Sequence, residues 1–159
     1  MRRLAVVLVV LAALGVGTAL AVAARGGGSQ PAGGAADVQY DDGPDGCTPG
    51  FWKNHTDVWS GYSPGDLFNT VFGVNYDASL TLLDALNQGD GGFEALARQA
   101  SAALLNAGND DIDYSLNTSE VIALVQQAFA TNDPEPAKDQ LDEFNNAGCS
   151  IDAKGRPIG

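Results

Sequence analysis

The chain has 159 residues, enough for one domain with a single core. Its 20 Asp and Glu against 8 Lys and Arg give a formal net charge of −12. Such a surface repels phosphate backbones, which argues against nucleic acid as a partner.

From the amino end, Arg2 and Arg3 precede residues 4–24, an uncharged run rich in Val, Leu and Ala. A basic segment followed by an apolar one is the pattern of an export leader, and the small residues around Ala23 and Ala24 suit a signal peptidase. The same run is long enough to cross a bilayer. Residues 1–24 therefore read as a signal peptide or an N-terminal membrane anchor, with the small distal residues favouring cleavage. Either way the remainder is exported, secreted or held at the cell surface, and it meets a membrane only through residues 4–24 if the leader stays uncleaved. Without Arg2 and Arg3, the exported part keeps six basic residues against twenty acidic ones, a formal −14. Residues 25–46 are rich in Gly, Ala and Pro and then acidic, the composition of a flexible linker. Residues 47–150 hold what reads as the folded domain, and residues 151–159 form a C-terminal tail.

Cys47 and Cys149 bracket that domain. An even count in an oxidising compartment, without a C-x-x-C spacing, reads as a disulfide. Two free thiols or a metal pair are the alternatives, and two Cys with one His make a poor zinc site.

Between the cysteines the pattern is helical. Thr48 can cap a first helix with Pro49 in its first position, followed by Phe51, Trp52, His55, Val58 and Trp59. Ser63-Pro64-Gly65-Asp66 repeats the device before Leu67, Phe68, Val71 and Phe72, and Gly73 is a stop. Leu80, Leu82, Leu83 and Leu86 mark a third helix, ended by residues 87–92. Phe93, Leu96, Ala97, Ala100, Ala103, Leu104 and Ala107 mark a fourth, which runs to Gly108. A fifth begins at Asn117 or Thr118 with Glu120 placed for a capping box. A sixth follows Asp133, with Pro134 in its first position, and carries Ala137, Leu141 and Phe144. No period-2 strand stands out. The expected architecture is all-α: a compact bundle of five or six short helices closed by one disulfide.

The segment Cys47-Thr48-Pro49-Gly50-Phe51-Trp52-Lys53-Asn54-His55, with Trp59 beyond it, resembles the signature of a group of exported bacterial and archaeal proteins. These often carry a later segment matched here by Leu96-Ala97-Arg98-Gln99 and Ala103, Leu105 and Asn106. The ending Phe144-Asn145-Asn146-Ala147-Gly148-Cys149 is similar to that of some members. The resemblance covers residues 47–149 and implies a surface or secreted location and a single folded unit. It supplies no catalytic residue. Many members have proline after the histidine; Thr56 stands here, which points to a different helix exit.

Several residues carry candidate chemistry. His55 could serve as acid, base or ligand, oriented by Asp57 or another acid, or it could pack with Phe51 and Trp52 while Lys53 and Asn54 bond to helix ends. The chain has no second histidine and no Gly-x-Ser-x-Gly or His-Glu-x-x-His motif, so the structural role is preferred. Arg98, on an apolar alanine-rich stretch, is expected to pair with a buried carboxylate or to cap a helix C-terminus, with substrate binding as the alternative. Two acidic groups, Asp41, Asp42 and Asp45 and then Asp110, Asp111 and Asp113, have oxygen-rich loops suited to Ca²⁺, although neither fits the twelve-residue calcium loop. No other cofactor is indicated. The expected function is that of a non-catalytic module, structural, adhesive or binding an extracellular protein or envelope component. A Ca²⁺-dependent binding module and a small secreted hydrolase using His55 are the alternatives.

Overall fold

A computed structural model describes residues 44–158; the expected leader, most of the linker, Asp41 and Asp42 lie outside these. Six α-helices follow in order: α1 (Pro49–Asn54), α2 (Phe68–Phe72), α3 (Leu82–Leu86), α4 (Gly92–Ala107), α5 (Thr118–Thr131) and α6 (Glu135–Asn145). A 3₁₀ turn, Thr56–Val58, follows α1. Among the described residues there is no strand, only three isolated antiparallel bridges. No described helix is long and apolar enough to cross a membrane.

Local capping chemistry fixes three of the six helix starts. The Thr48 hydroxyl accepts the Phe51 N–H at 3.2 Å, and Pro49 occupies the first turn of α1, where its missing N–H has no helical partner to lose. At α5, Asn117 accepts from the Glu120 N–H at 3.1 Å, and the Glu120 carboxylate accepts the Asn117 N–H at 2.9 Å, closing the expected capping box. Thr81 and Asp84 form a second such box at α3. Gly73 ends α2 at φ 66°, a conformation that favours glycine.

Three starts differ from expectation. The Ser63–Asp66 device makes a turn rather than a cap: the Ser63 N–H donates to the Asp66 carboxylate at 2.8 Å, and α2 begins only at Phe68. Leu67 is extended there because it bridges to Thr81. The Phe68 N–H donates to the Leu80 carbonyl at 2.8 Å and the Leu82 N–H to the Asp66 carbonyl at 2.9 Å. That pairing delays both α2 and α3. Pro134 precedes α6 as its cap rather than standing inside it.

α4 is the centre, packed by α6, α3, α5 and α1. Eleven of its sixteen residues are buried, as for a helix enclosed on most sides. Ala95, Ala97, Ala100, Ala102 and Ala103 keep its neighbours close. On one flank Phe68, Phe72, Leu82, Leu96, Leu104, Val121, Val125 and Leu141 form the larger core. On the other, Trp52, Leu86, Ala102, Leu105, Ile112 and Ile151 pack around Cys47.

Cys47 and Cys149 are joined by a disulfide, their Cα atoms 4.4 Å apart across 102 positions of chain. Gly46 bridges Gly148 beside it, and its α-carbon backs onto the Phe144 carbonyl with no room for a Cβ. Beyond the disulfide the chain folds back: Ile151 is buried and bridges Pro157, and the Ile158 N–H donates to the Ser150 carbonyl at 2.8 Å.

Candidate functional site

Of the signature residues on α1, Trp52 is buried, Phe51 is half-buried, and Lys53 and Asn54 are exposed. Phe51 meets Trp52 edge-on at 5.2 Å and stacks on the His55 ring at 4.5 Å. Because a carbonyl can only accept, the 2.8 Å contact between His55 Nδ1 and the Phe51 oxygen places a proton on Nδ1. Among the described residues no carboxylate bonds the ring. The Trp59 indole donates to the Trp52 carbonyl at 3.0 Å, and Asn54 Nδ2 donates to the Gly50 carbonyl at 2.8 Å. Lys53 is exposed.

Beneath α1 lies a buried polar network that sequence reasoning did not assign. Asn106 is fully buried and uses all four of its contacts. Its Oδ1 accepts the Cys47 N–H and the Trp52 indole N–H, each at 2.9 Å; its Nδ2 donates to the Cys47 carbonyl and to Asn145 Oδ1, each at 2.9 Å. Asn145 Oδ1 also accepts the Tyr114 hydroxyl at 2.9 Å, and burial pushes that phenol above its ordinary range, keeping it a donor. Asn145 Nδ2 donates to the Gln99 backbone and side-chain oxygens at 3.0 and 2.9 Å. Gln99 Nε2 completes the chain by donating to Asp142 Oδ1 at 2.7 Å. Among the described residues no buried side-chain polar atom lacks a partner, the condition under which such a network stabilises rather than penalises a core. Cys47 and Trp52, Gln99 and Asn106 on α4, and Asn145 on α6 are thus tied into one unit.

A signal for this network was present. Gln99 and Asn106 are amides seven positions apart in a run of Ala and Leu, two turns along one helix face. A polar pair at that spacing needs a partner. Which residues would supply it, Asn145 and Cys47, could not be read from spacing.

At the surface the network opens into a cleft of about 250 Å³ between α1, the end of α3, α4 and α6. Lys53, Arg98 and Asp142 supply its charges, Gln99 and Asn146 its amides, and Pro49 and Leu86 its apolar wall. Arg98 pairs with Asp90, whose side chain is 88% exposed, and reaches toward the Gln88 carbonyl just past α3. Its partner is therefore an exposed carboxylate, not a buried one. Two other cavities, of about 230 Å³ between α5 and α6 and about 550 Å³ beside Gly73 and Phe129, hold none of the candidate residues.

The acidic loops look different. Asp110, Asp111 and Asp113 are exposed between α4 and α5. The Asp111 N–H donates to Asn109 Oδ1 at 2.9 Å, and the Asp45 N–H donates to the Asp113 backbone carbonyl at 2.7 Å. Among the described residues no three acids, histidines or cysteines gather as a metal set. The two cysteines are consumed by their mutual bond.

No family model, curated protein or solved structure matches this chain.

Proposed function

We propose that the protein is an exported, non-catalytic module, secreted or tethered at the cell surface, that acts by binding an extracellular protein or envelope component. The observation that carries this reading is the use of the signature side chains as fold contacts. Trp52 is anchored on Asn106, Trp59 and His55 donate to backbone carbonyls, and Asn54 is tied within α1. Of the signature residues, Lys53 and Asn54 remain exposed to meet a partner. The basic-then-apolar amino end, the acidity of the rest and the disulfide support the compartment. The resemblance to exported proteins over residues 47–149 is consistent with both parts of the reading.

Two measurements test it. Expressed with its own amino end in a bacterial host, the chain is expected outside the cytoplasm with no thiol open to alkylation; a cytoplasmic, fully reduced pool would overturn the export half. The purified oxidised protein is expected to turn over no ester, peptide or glycoside substrate. Turnover abolished by His55→Ala would overturn the non-catalytic half.

A further inference from the structure

The cleft above the polar network brings together two cations, Lys53 and Arg98, and a carboxylate, Asp142. Among the described residues Lys138 is held by Glu135 and Asp139, and Arg156 by Asp152, whereas Lys53 has no carboxylate within ion-pair distance. Arg98, on the same cleft, is steadied by Asp90 with its side chain 24% exposed. Opposite in sign is Asp142. Its Oδ1 is fixed by Gln99 Nε2 at 2.7 Å and Asn146 Nδ2 at 3.1 Å, and no described donor uses Oδ2. Two cations and one oriented carboxylate therefore line a space of about 250 Å³, somewhat below the range of about 300–1,000 Å³ that holds drug-sized ligands.

We infer that this cleft binds a small zwitterion of amino-acid or dipeptide size, its carboxylate on Lys53 and Arg98 and its ammonium on Asp142. Three features select that chemistry. A phosphate or other multiply charged anion would meet Asp142 inside the cleft and a formal −14 over the exported part outside it. A simple cation would meet Lys53 and Arg98. A ligand with both charges and no net charge satisfies the lining and feels little long-range repulsion. The site is also preorganised, since Gln99 and Asp142 belong to a network anchored on Asn106 and the Cys47 backbone, so little ordering remains to be done on binding. Exposed ion pairs contribute little each, which sets the expected affinity near about 1 mM.

This inference deepens the binding reading above and rests on it. The test is a titration of the oxidised, ¹⁵N-labelled protein with L-alanyl-L-alanine, followed by amide shifts. N-acetyl-L-alanine and L-alaninamide serve as probes that each lack one charge. Saturable shifts at Gly50, Lys53, Arg98 and Asn146 are expected, with each single-charge probe weaker by about two- to fivefold, the loss of one exposed ion pair. Lys53→Met, at an exposed position, is expected to weaken the dipeptide by several fold while leaving the melting temperature unchanged. Asp142→Asn is expected to weaken the dipeptide but not N-acetyl-L-alanine. Absence of saturable shifts at these residues, or N-acetyl-L-alanine binding as tightly as the dipeptide, would overturn the site. The two readings fail separately: a dipeptide recovered intact without shifts defeats only the site, whereas its hydrolysis to alanine would defeat the non-catalytic reading.

Discussion

Asn106 is the position where a small change should do the most damage. Replacing it by alanine removes one acceptor and one donor group, and with them four hydrogen bonds. Asn145 Oδ1 keeps the Tyr114 hydroxyl, so it is not stranded. The Cys47 N–H, the Cys47 carbonyl and the Trp52 indole N–H lose their partner in a fully buried place. Each such orphan costs about 1–3 kcal/mol, and a water entering the vacated space would recover part of the sum. The expected destabilisation of Asn106→Ala is about 4 kcal/mol, a large share of the 5–15 kcal/mol typical of a domain. For a domain of this size that corresponds to a melting temperature lower by roughly 15 °C. Trp52→Phe removes only one donor, leaves Asn106 Oδ1 with the Cys47 N–H, and opens a smaller void, so about 2 kcal/mol is expected. Urea unfolding of the oxidised protein, followed by far-ultraviolet circular dichroism, gives both values if the slopes agree. The double variant should show strong coupling, because the second change removes a partner already lost. A loss below about 1 kcal/mol for Asn106→Ala would refute the view that this amide anchors the domain.

Other outcomes follow from the same contacts. Replacing both Cys47 and Cys149 by alanine releases a loop of about a hundred residues and should cost about 4.7 kcal/mol by the chain-entropy account; an unchanged urea midpoint would count against it. His55→Ala should cost about 1 kcal/mol through the lost Phe51 bond and stacking, and a loss above about 3 kcal/mol would mean that the ring holds more than the Phe51 carbonyl and ring. At the tail, the side chain of Arg156, 2.6 Å from Asp152, and its backbone N–H hold that carboxyl at about 2, against 3.8 unperturbed. Because the folded value is the lower one, the stabilisation is complete above about pH 4 and is lost as pH falls towards 2. A carbon-detected titration of Asp152 should show a midpoint near 2, moving up towards 3.8 in Arg156→Met. Finally, with the acids of residues 110–113 exposed and ungathered, the melting temperature should be the same with millimolar Ca²⁺ or with chelator, and a rise of several degrees with Ca²⁺ would revive a calcium site.

Much of the fold was legible because local rules and tertiary packing agree here. α4 announces itself through apolar periodicity, α1 through Thr48-Pro49, α5 through Asn117 and Glu120, and the disulfide through an even cysteine pair. Ser63-Pro64-Gly65-Asp66 misled because the same side chain that caps a helix also closes a turn. The choice was made by Leu67 pairing with Thr81, fourteen residues away, which no local pattern encodes. The candidate site was half legible. Trp52, Lys53 and Arg98 stood out as residue types, but the cleft joins positions 53, 86, 98 and 142 from four helices. Asp142 gave no signal of its own, because it sits on a helix rich in acids, and its amide partners Gln99 and Asn146 distinguish it from its solvated neighbours.

The adjacency of Gly46 and Gly148 has a mechanical meaning. With Cys47 bonded to Cys149, a pull applied to the flanking chain on both sides runs through one covalent link and bypasses the intervening helices. Tension that would peel an ordinary bundle apart helix by helix leaves this one slack. Only after reduction would the same force reach α1 and α6 and draw them out.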